Sequence, residues 1–150
     1  MSLVLEGREL ALKLYQDTTL KDLMLIPTAE KNNLAKVRDT YIVDANGSDA
    51  IVTTENCKIM YYNVSLTGTN NQFVKWDGMI FKIFVKNSQE YTLTNGLDKR
   101  QLAIADRLNE ILGRQYVGDW KFEPVDKGSL FCGTSGYKLY FVRFAYKRIY

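Results

Sequence analysis

The stretch that decides the fold runs from Asn95 to Gly113 and reads NGLDKRQLAIADRLNEILG. Its apolar residues recur at the intervals of one helical face: Leu97, Ile104, Leu108 and Ile111. The charged side chains, Arg100 among them, fall elsewhere on the helical wheel. Asn95 or Asp98 can accept a hydrogen bond from a free amide at the start, and Gly113 can end the helix in a left-handed conformation. The pattern predicts an amphipathic helix over 96–112, one face of which needs a core.

Three segments around this helix have the alternation of strands. The first begins at Cys57 and ends before Gly68, which predicts a hairpin connection. In the second, over 79–86, a core face is predicted for four residues, Met79, Phe81, Ile83 and Val85, opposite a partly wet face with Lys82 and Lys86. The third runs from 137 to 150, and Tyr140, Val142, Phe144 and Tyr146 form its predicted core face. The opposite face of this last strand turns basic toward the C-terminus.

The other segments complete an α+β prediction. Residues 1–26 have helical periodicity, residues 27–56 are loop-rich with a short strand predicted over 40–43, and a strand near a sheet edge is predicted over 116–125 because Pro124 cannot donate to a ladder. We expect one domain, 1–150, in which 57–150 form the sheet and the main helix. The fold class is α+β, with a mostly antiparallel sheet of four to five strands and helices packed on one face.

Composition argues against an enzyme. The chain has no histidine, so the commonest general base and the commonest metal ligand are both missing from its 150 residues. The carboxylates are scattered and suit caps, turns and helix surfaces: Glu90, Asp98, Asp106, Glu123 and Asp126. The two cysteines, Cys57 and Cys132, have no ligand spacing; a disulfide stays open, but two buried thiols in a reducing compartment are favoured. We predict no catalytic residues, no cofactor and no metal.

We expect no targeting signal and no membrane span. No stretch approaches the ~20 apolar residues of a membrane span, and Glu6 and Glu9 stand where a signal peptide needs an apolar run. No membrane partner is therefore expected.

Nucleic-acid binding is one alternative that the sequence leaves open. The net charge of +3 is too small to indicate it alone. The last strand, however, interleaves Lys138, Arg143 and Lys147 with aromatic residues, a mixture that single strands favour. The alternation places most of those rings on the predicted core face, away from the cations. A small non-enzymatic module that binds single-stranded nucleic acid is therefore the second interpretation.

Assembly into a larger structure is the other alternative. A sheet with a wet second face, aromatic strands and long polar loops over 44–55 and 68–77 is typical of subunits that contact copies of themselves. Candidate oligomer contacts in and beside these loops are Asn46, Asn70 and Trp76.

The order of segments from Cys57 onward resembles the tail-terminator and head-tail joining proteins of tailed bacteriophages and prophages. The resemblance rests on the hairpin that ends in FKIFVK at 81–86, the helix KRQLAIADRLNEIL at 99–112 and the closing strands through GYKLYFVRFAY at 136–146. No invariant motif supports it, and residues 27–55 have no evident counterpart, which leaves a related neck or tail-completion protein open.

The resemblance implies a structural protein of the virion. Such a subunit forms a homo-oligomeric ring, a hexamer, that caps the tail tube, binds the tube protein and offers a surface to the head connector. DNA passes through the ring only as cargo, so basic side chains are expected at the lumen, and Lys75, Lys82 and Lys86 are the candidates. The implied location is the neck region of the virion tail, and the host cytoplasm during assembly.

Overall fold

The computed structural model describes residues 3–45, 54–65 and 74–149. The elements are, in order, α1 (Leu3–Tyr15), α2 (Thr18–Leu23), α3 (Leu34–Lys36), a π-helical turn (Val37–Tyr41), β1 (Ile42–Asp44), β2 (Cys57–Ser65), β3 (Val74–Lys86), a 3₁₀ turn (Asn87–Gln89), α4 (Arg100–Leu112), β4 (Tyr116–Val117), β5 (Trp120–Leu130) and β6 (Tyr137–Ile149). The α+β class is therefore confirmed.

The sheet differs from its prediction in strand number and direction. It has six strands in the order β1-β2-β3-β6-β5-β4, and β1 runs parallel to β2. The number four to five was wrong because Gly118, with a positive φ of 63°, turns the predicted edge strand back on itself and creates β4. The sheet is mixed because the fully buried Ile42 pairs in parallel with Ile59, whereas the other four ladders are antiparallel.

The main core lies between the helices and one face of the sheet. Side chains of α1, α2 and α4 share it with alternate residues of β2, β3 and β6. The alternation predicted for β3 and β6 is confirmed, since Phe81, Ile83, Val142 and Phe144 are all buried in this cluster. The unbroken register between β3 and β6 keeps this alternation constant along both strands.

The ends of the main helix are set by backbone contacts rather than by the predicted caps. The helix begins at Arg100 and not at residue 96, and its first amide donates to the carbonyl oxygen of Glu90 at 2.8 Å. The Asn95 side chain accepts hydrogen bonds within the preceding turn, from the amides of Leu97 and Asp98. Gly113 has a φ of −62°, and the left-handed conformation falls on Arg114.

Asp17 ties the second helix to α4. One of its carboxylate oxygens caps α2 by accepting from the amide of Leu20 at 2.8 Å, and the same group accepts two hydrogen bonds from the guanidinium of Arg107, one of them at 2.9 Å. The hydrogen bonds from Arg107 hold the pKa of Asp17 below its usual value of 3.8.

Replacing Asp17 by asparagine should lower the free energy of unfolding by about 0.5–1 kcal/mol at neutral pH, since asparagine still caps the helix but loses the ion pair. Because the pKa is lower in the folded state, this stabilisation is present above 3.8 and is lost as the pH falls through the folded value. Urea unfolding of both proteins at neutral pH and below pH 3.8 measures the difference. An equal difference in the free energy of unfolding at both pH values would contradict an ion pair between Asp17 and Arg107.

Candidate assembly surface

The sheet has a second face, opposite the helices, formed by the alternate residues of β2, β3, β5 and β6. Register brings Met60 opposite Lys82, and Lys82 opposite Phe141, so these three lie in one row across the sheet. Tyr62, Ile80 and Arg143 form the next row. No helix of the described ranges packs on these rows, in which Met60 is buried and the other five residues are half-buried.

One end of this second face is closed by a small apolar cluster. Met60, Phe84 and Tyr137 are buried there, and Leu139 and Cys132 pack against them. The hydroxyl of Tyr137 donates to the carbonyl oxygen of Glu55 at 2.6 Å, and burial raises the pKa of Tyr137. This end of the face is therefore closed to solvent by packed side chains.

The centre of the second face holds cations beside rings. The Lys82 ammonium lies 5.3 Å from the centre of the Tyr62 ring, a cation–π contact. The guanidinium of Arg143 makes two hydrogen bonds with the carboxylate of Asp126, at 2.9 and 2.6 Å. Arg143 is thereby ion-paired, whereas neither Lys82 nor the exposed Lys86 forms an ion pair with another described residue.

The predicted lumen residues do not share one face by register. Lys82 and Lys86 occupy even-numbered positions of β3 on the second face, whereas Lys75 occupies an odd-numbered position, as Phe81 does. The backbone of Trp76 pairs with that of Lys147 near the far end of the ladder. Asn46 and Asn70 lie outside the described residues. Their roles as lumen or oligomer contacts stay predictions.

Sequence reasoning missed a second surface feature at the turn between β5 and β6. Phe131 is 94% exposed there, and Leu130 and Tyr91 nearby are also exposed. The signal was present in the sequence, because Leu130 and Phe131 stand directly before the turn residues of 133–136, where a solvent-exposed apolar pair needs an explanation.

The described part of the chain contains both cysteines and no histidine. It contains no group of three or more histidine, cysteine or acidic residues placed to hold a metal ion. Cys57 and Cys132 are both free thiols, and burial raises the pKa of Cys57 to about 12. None of the described helices is long and apolar enough to cross a membrane.

Comparison with known proteins gives one family. A family model described as YomW matches residues 12–147, and no curated protein matches the chain significantly. The matched region contains most of both sheet faces and the whole of α4. The chain therefore belongs to the YomW family, which is phage-derived.

Proposed function

We propose that the chain is a structural subunit of a phage or prophage tail, the tail terminator, which forms a hexameric ring at the head-proximal end of the tail tube. The ring stops growth of the tube and binds the head connector, and DNA passes through it as cargo. The subunit needs no cofactor and catalyses no reaction. It acts in the neck region of the virion after assembly in the host cytoplasm.

The second face of the sheet is the observation that carries this proposal. Half-buried apolar and aromatic side chains, Tyr62, Ile80 and Phe141, lie there between cations, and no described helix covers them. Interfaces between subunits combine aromatic residues with arginine in this way. Membership of a phage-derived family adds independent support for a role in a virion.

Electron microscopy of tail tubes mixed with the tagged protein tests the proposal. We expect an antibody against the tag to mark one end of each tube and the marked tubes to stop growing when more tube protein is added. Phe141→Glu should abolish this, because it places a charge in the second face, whereas Tyr116→Glu at an exposed position of β4 should not. Tubes that grow at both ends in the presence of the wild-type protein would contradict the terminator.

The cations of the second face also favour a second candidate, a module that binds single-stranded nucleic acid. One positive charge and two aromatic rings lie on this face, from Lys82, Tyr62 and Phe141. The alternation of the last strand alone did not predict this combination. Aromatic platforms flanked by cations bind bases by stacking.

Anisotropy of a labelled oligothymidylate at low and physiological salt separates the two candidates. For the terminator we expect only weak affinity that falls steeply with salt and that Lys82→Gln with Lys86→Gln largely removes, while ring formation persists. Tight binding that survives physiological salt would favour the nucleic-acid module instead.

A further inference from the structure

A cleft of about 570 Å³ lies where the loop after β3, the first turn of α4 and the β5–β6 turn meet. Glu90 and Tyr91 line it from the loop, Lys99 and Gln101 from the start of the helix, and Phe131 from the turn. Three segments that are distant in sequence thus converge on one concave surface. This cleft is separate from the central rows of the second face.

Gln101 supplies an acceptor with no donor. Its side chain is only 6% exposed, and its amide nitrogen donates to the carboxylate of Glu90. Its carbonyl oxygen, Oε1, is buried and accepts no hydrogen bond, and no other buried side-chain oxygen or nitrogen of the described residues lacks a partner. Buried polar atoms in native proteins almost always have partners, so this oxygen is a candidate acceptor for a donor brought by water or by a bound molecule.

The end of strand β5, which has an unpaired outer edge, borders the same cleft. The short strand β4 pairs with only Trp120 and Lys121, and no strand in the described ranges pairs with the outer side of β5 beyond Phe122. The last residues of β5, Ser129 and Leu130, line the cleft. An unpaired edge beside a cleft can accept an extended peptide as an additional strand.

The rim of the cleft combines exposed rings with unpaired cations. Phe131 and Tyr91 offer ring surface to solvent, and aromatic residues of this kind anchor protein interfaces. Lys99 and Lys138 are exposed, and neither forms an ion pair with another described residue. The one carboxylate of the lining, Glu90, is buried against Gln101. The rim therefore attracts negative charge, not positive.

We propose that this cleft binds an extended acidic segment of another protein. The segment adds a strand to the outer edge of β5, and one of its N–H groups donates to Gln101 Oε1. Its acidic side chains lie beside Lys99 and Lys138, and its apolar side chains pack against Phe131. Binding at this cleft does not require the ring, so the tests of the two proposals fail independently.

Selection from a yeast-displayed library of short random peptides tests the inference with the purified full chain. We expect the selected peptides to be acidic, with acidic residues that alternate with β-branched residues along the peptide. Phe131→Ser should weaken the best synthetic peptide roughly thirtyfold, because an exposed side chain of this kind acts as an anchor, and Gln101→Met roughly three- to tenfold through the lost hydrogen bond. Tyr116→Ser, an exposed aromatic outside the cleft lining, should leave its affinity unchanged.

Two further readouts locate the bound peptide and test its charge. Bound peptide should slow alkylation of Cys132, which lines the cleft, while the buried Cys57 reports any unfolding. Reversing both rim charges with Lys99→Glu and Lys138→Glu should switch the selection to basic peptides. The proposal would be overturned if the library yielded no binder or yielded basic binders for the wild type. Binders whose affinity does not change with Phe131→Ser would also overturn it, as would self-association through Phe131 in place of peptide binding.

Discussion

Replacing Phe81 by alanine should lower the free energy of unfolding by about 3–5 kcal/mol, because it opens a cavity at the centre of the main core. Phe81 is fully buried on β3, where its ring stacks on Tyr61 at 5.5 Å between ring centres and meets the edge of Phe144 at 5.8 Å. The truncation removes both ring contacts as well as the buried area. Urea unfolding followed by circular dichroism measures the loss.

Phe131→Ala is the matched control, since it deletes the same side chain from a position that is 94% exposed. Its free energy of unfolding should stay within about 0.5 kcal/mol of the wild type. A loss of similar size for both variants would mean that the core is not where the fold places it.

Replacing Arg100 by methionine should cost about 3 kcal/mol, although the change removes a charge from the interior. The guanidinium is buried and donates to the carbonyl oxygens of Leu23 and Gln89, at 2.7 and 3.1 Å, and to the hydroxyl of Thr92 at 2.8 Å. Methionine fills the volume of the stem but leaves these acceptors without donors, and each hydrogen bond to a charged group contributes about 1.5–3 kcal/mol that is not fully additive.

The control for Arg100 is Arg38→Met, which removes an exposed arginine whose hydrogen bonds to described residues go to the neighbouring Asp39. Thermal unfolding of this variant should match the wild type closely. If Arg100→Met also unfolded at the same temperature as the wild type, the contacts that join α2, α4 and the loop after β3 would not stabilise the fold.

The burial of Arg100 could not be predicted from the sequence pattern. Residue 100 lies four positions before Ile104, on the buried row of α4. Because arginine is charged, periodicity predicts a solvent-exposed side chain there and places Leu97 in the apolar face instead. Leu97 is 80% exposed and precedes the helix. Periodicity identifies apolar positions, whereas the hydrogen-bond acceptors that make a buried arginine favourable come from segments distant in sequence.

The alternation of apolar residues predicted which face of each strand is buried. It did not predict which strands pair or in which direction. Phe81 and Phe144 were assigned to the core face because residues on one face recur every second position, and this holds without a register break between β3 and β6. The pairing of Ile42 with Ile59 depends on a contact across the intervening chain, and no local pattern contains its direction.

The candidate surfaces were predicted only in part, for the same reason. The wet face of β3 and its residues Lys82 and Lys86 followed from alternation. The cleft around Gln101 could not follow from it, because three separate segments form that cleft. Phe131 alone carried a local signal, as an exposed apolar residue beside a turn.

The native mass of the purified protein across a concentration series, with and without tail-tube protein, tests whether the subunit forms a ring. Each subunit has a mass of 17.3 kDa, so native mass spectrometry distinguishes a monomer from a closed ring of six. We expect that ring, formed by the protein alone or induced by the tube protein. A monomer at every concentration that ignores the tube protein but shifts on mixing with single-stranded DNA would contradict it.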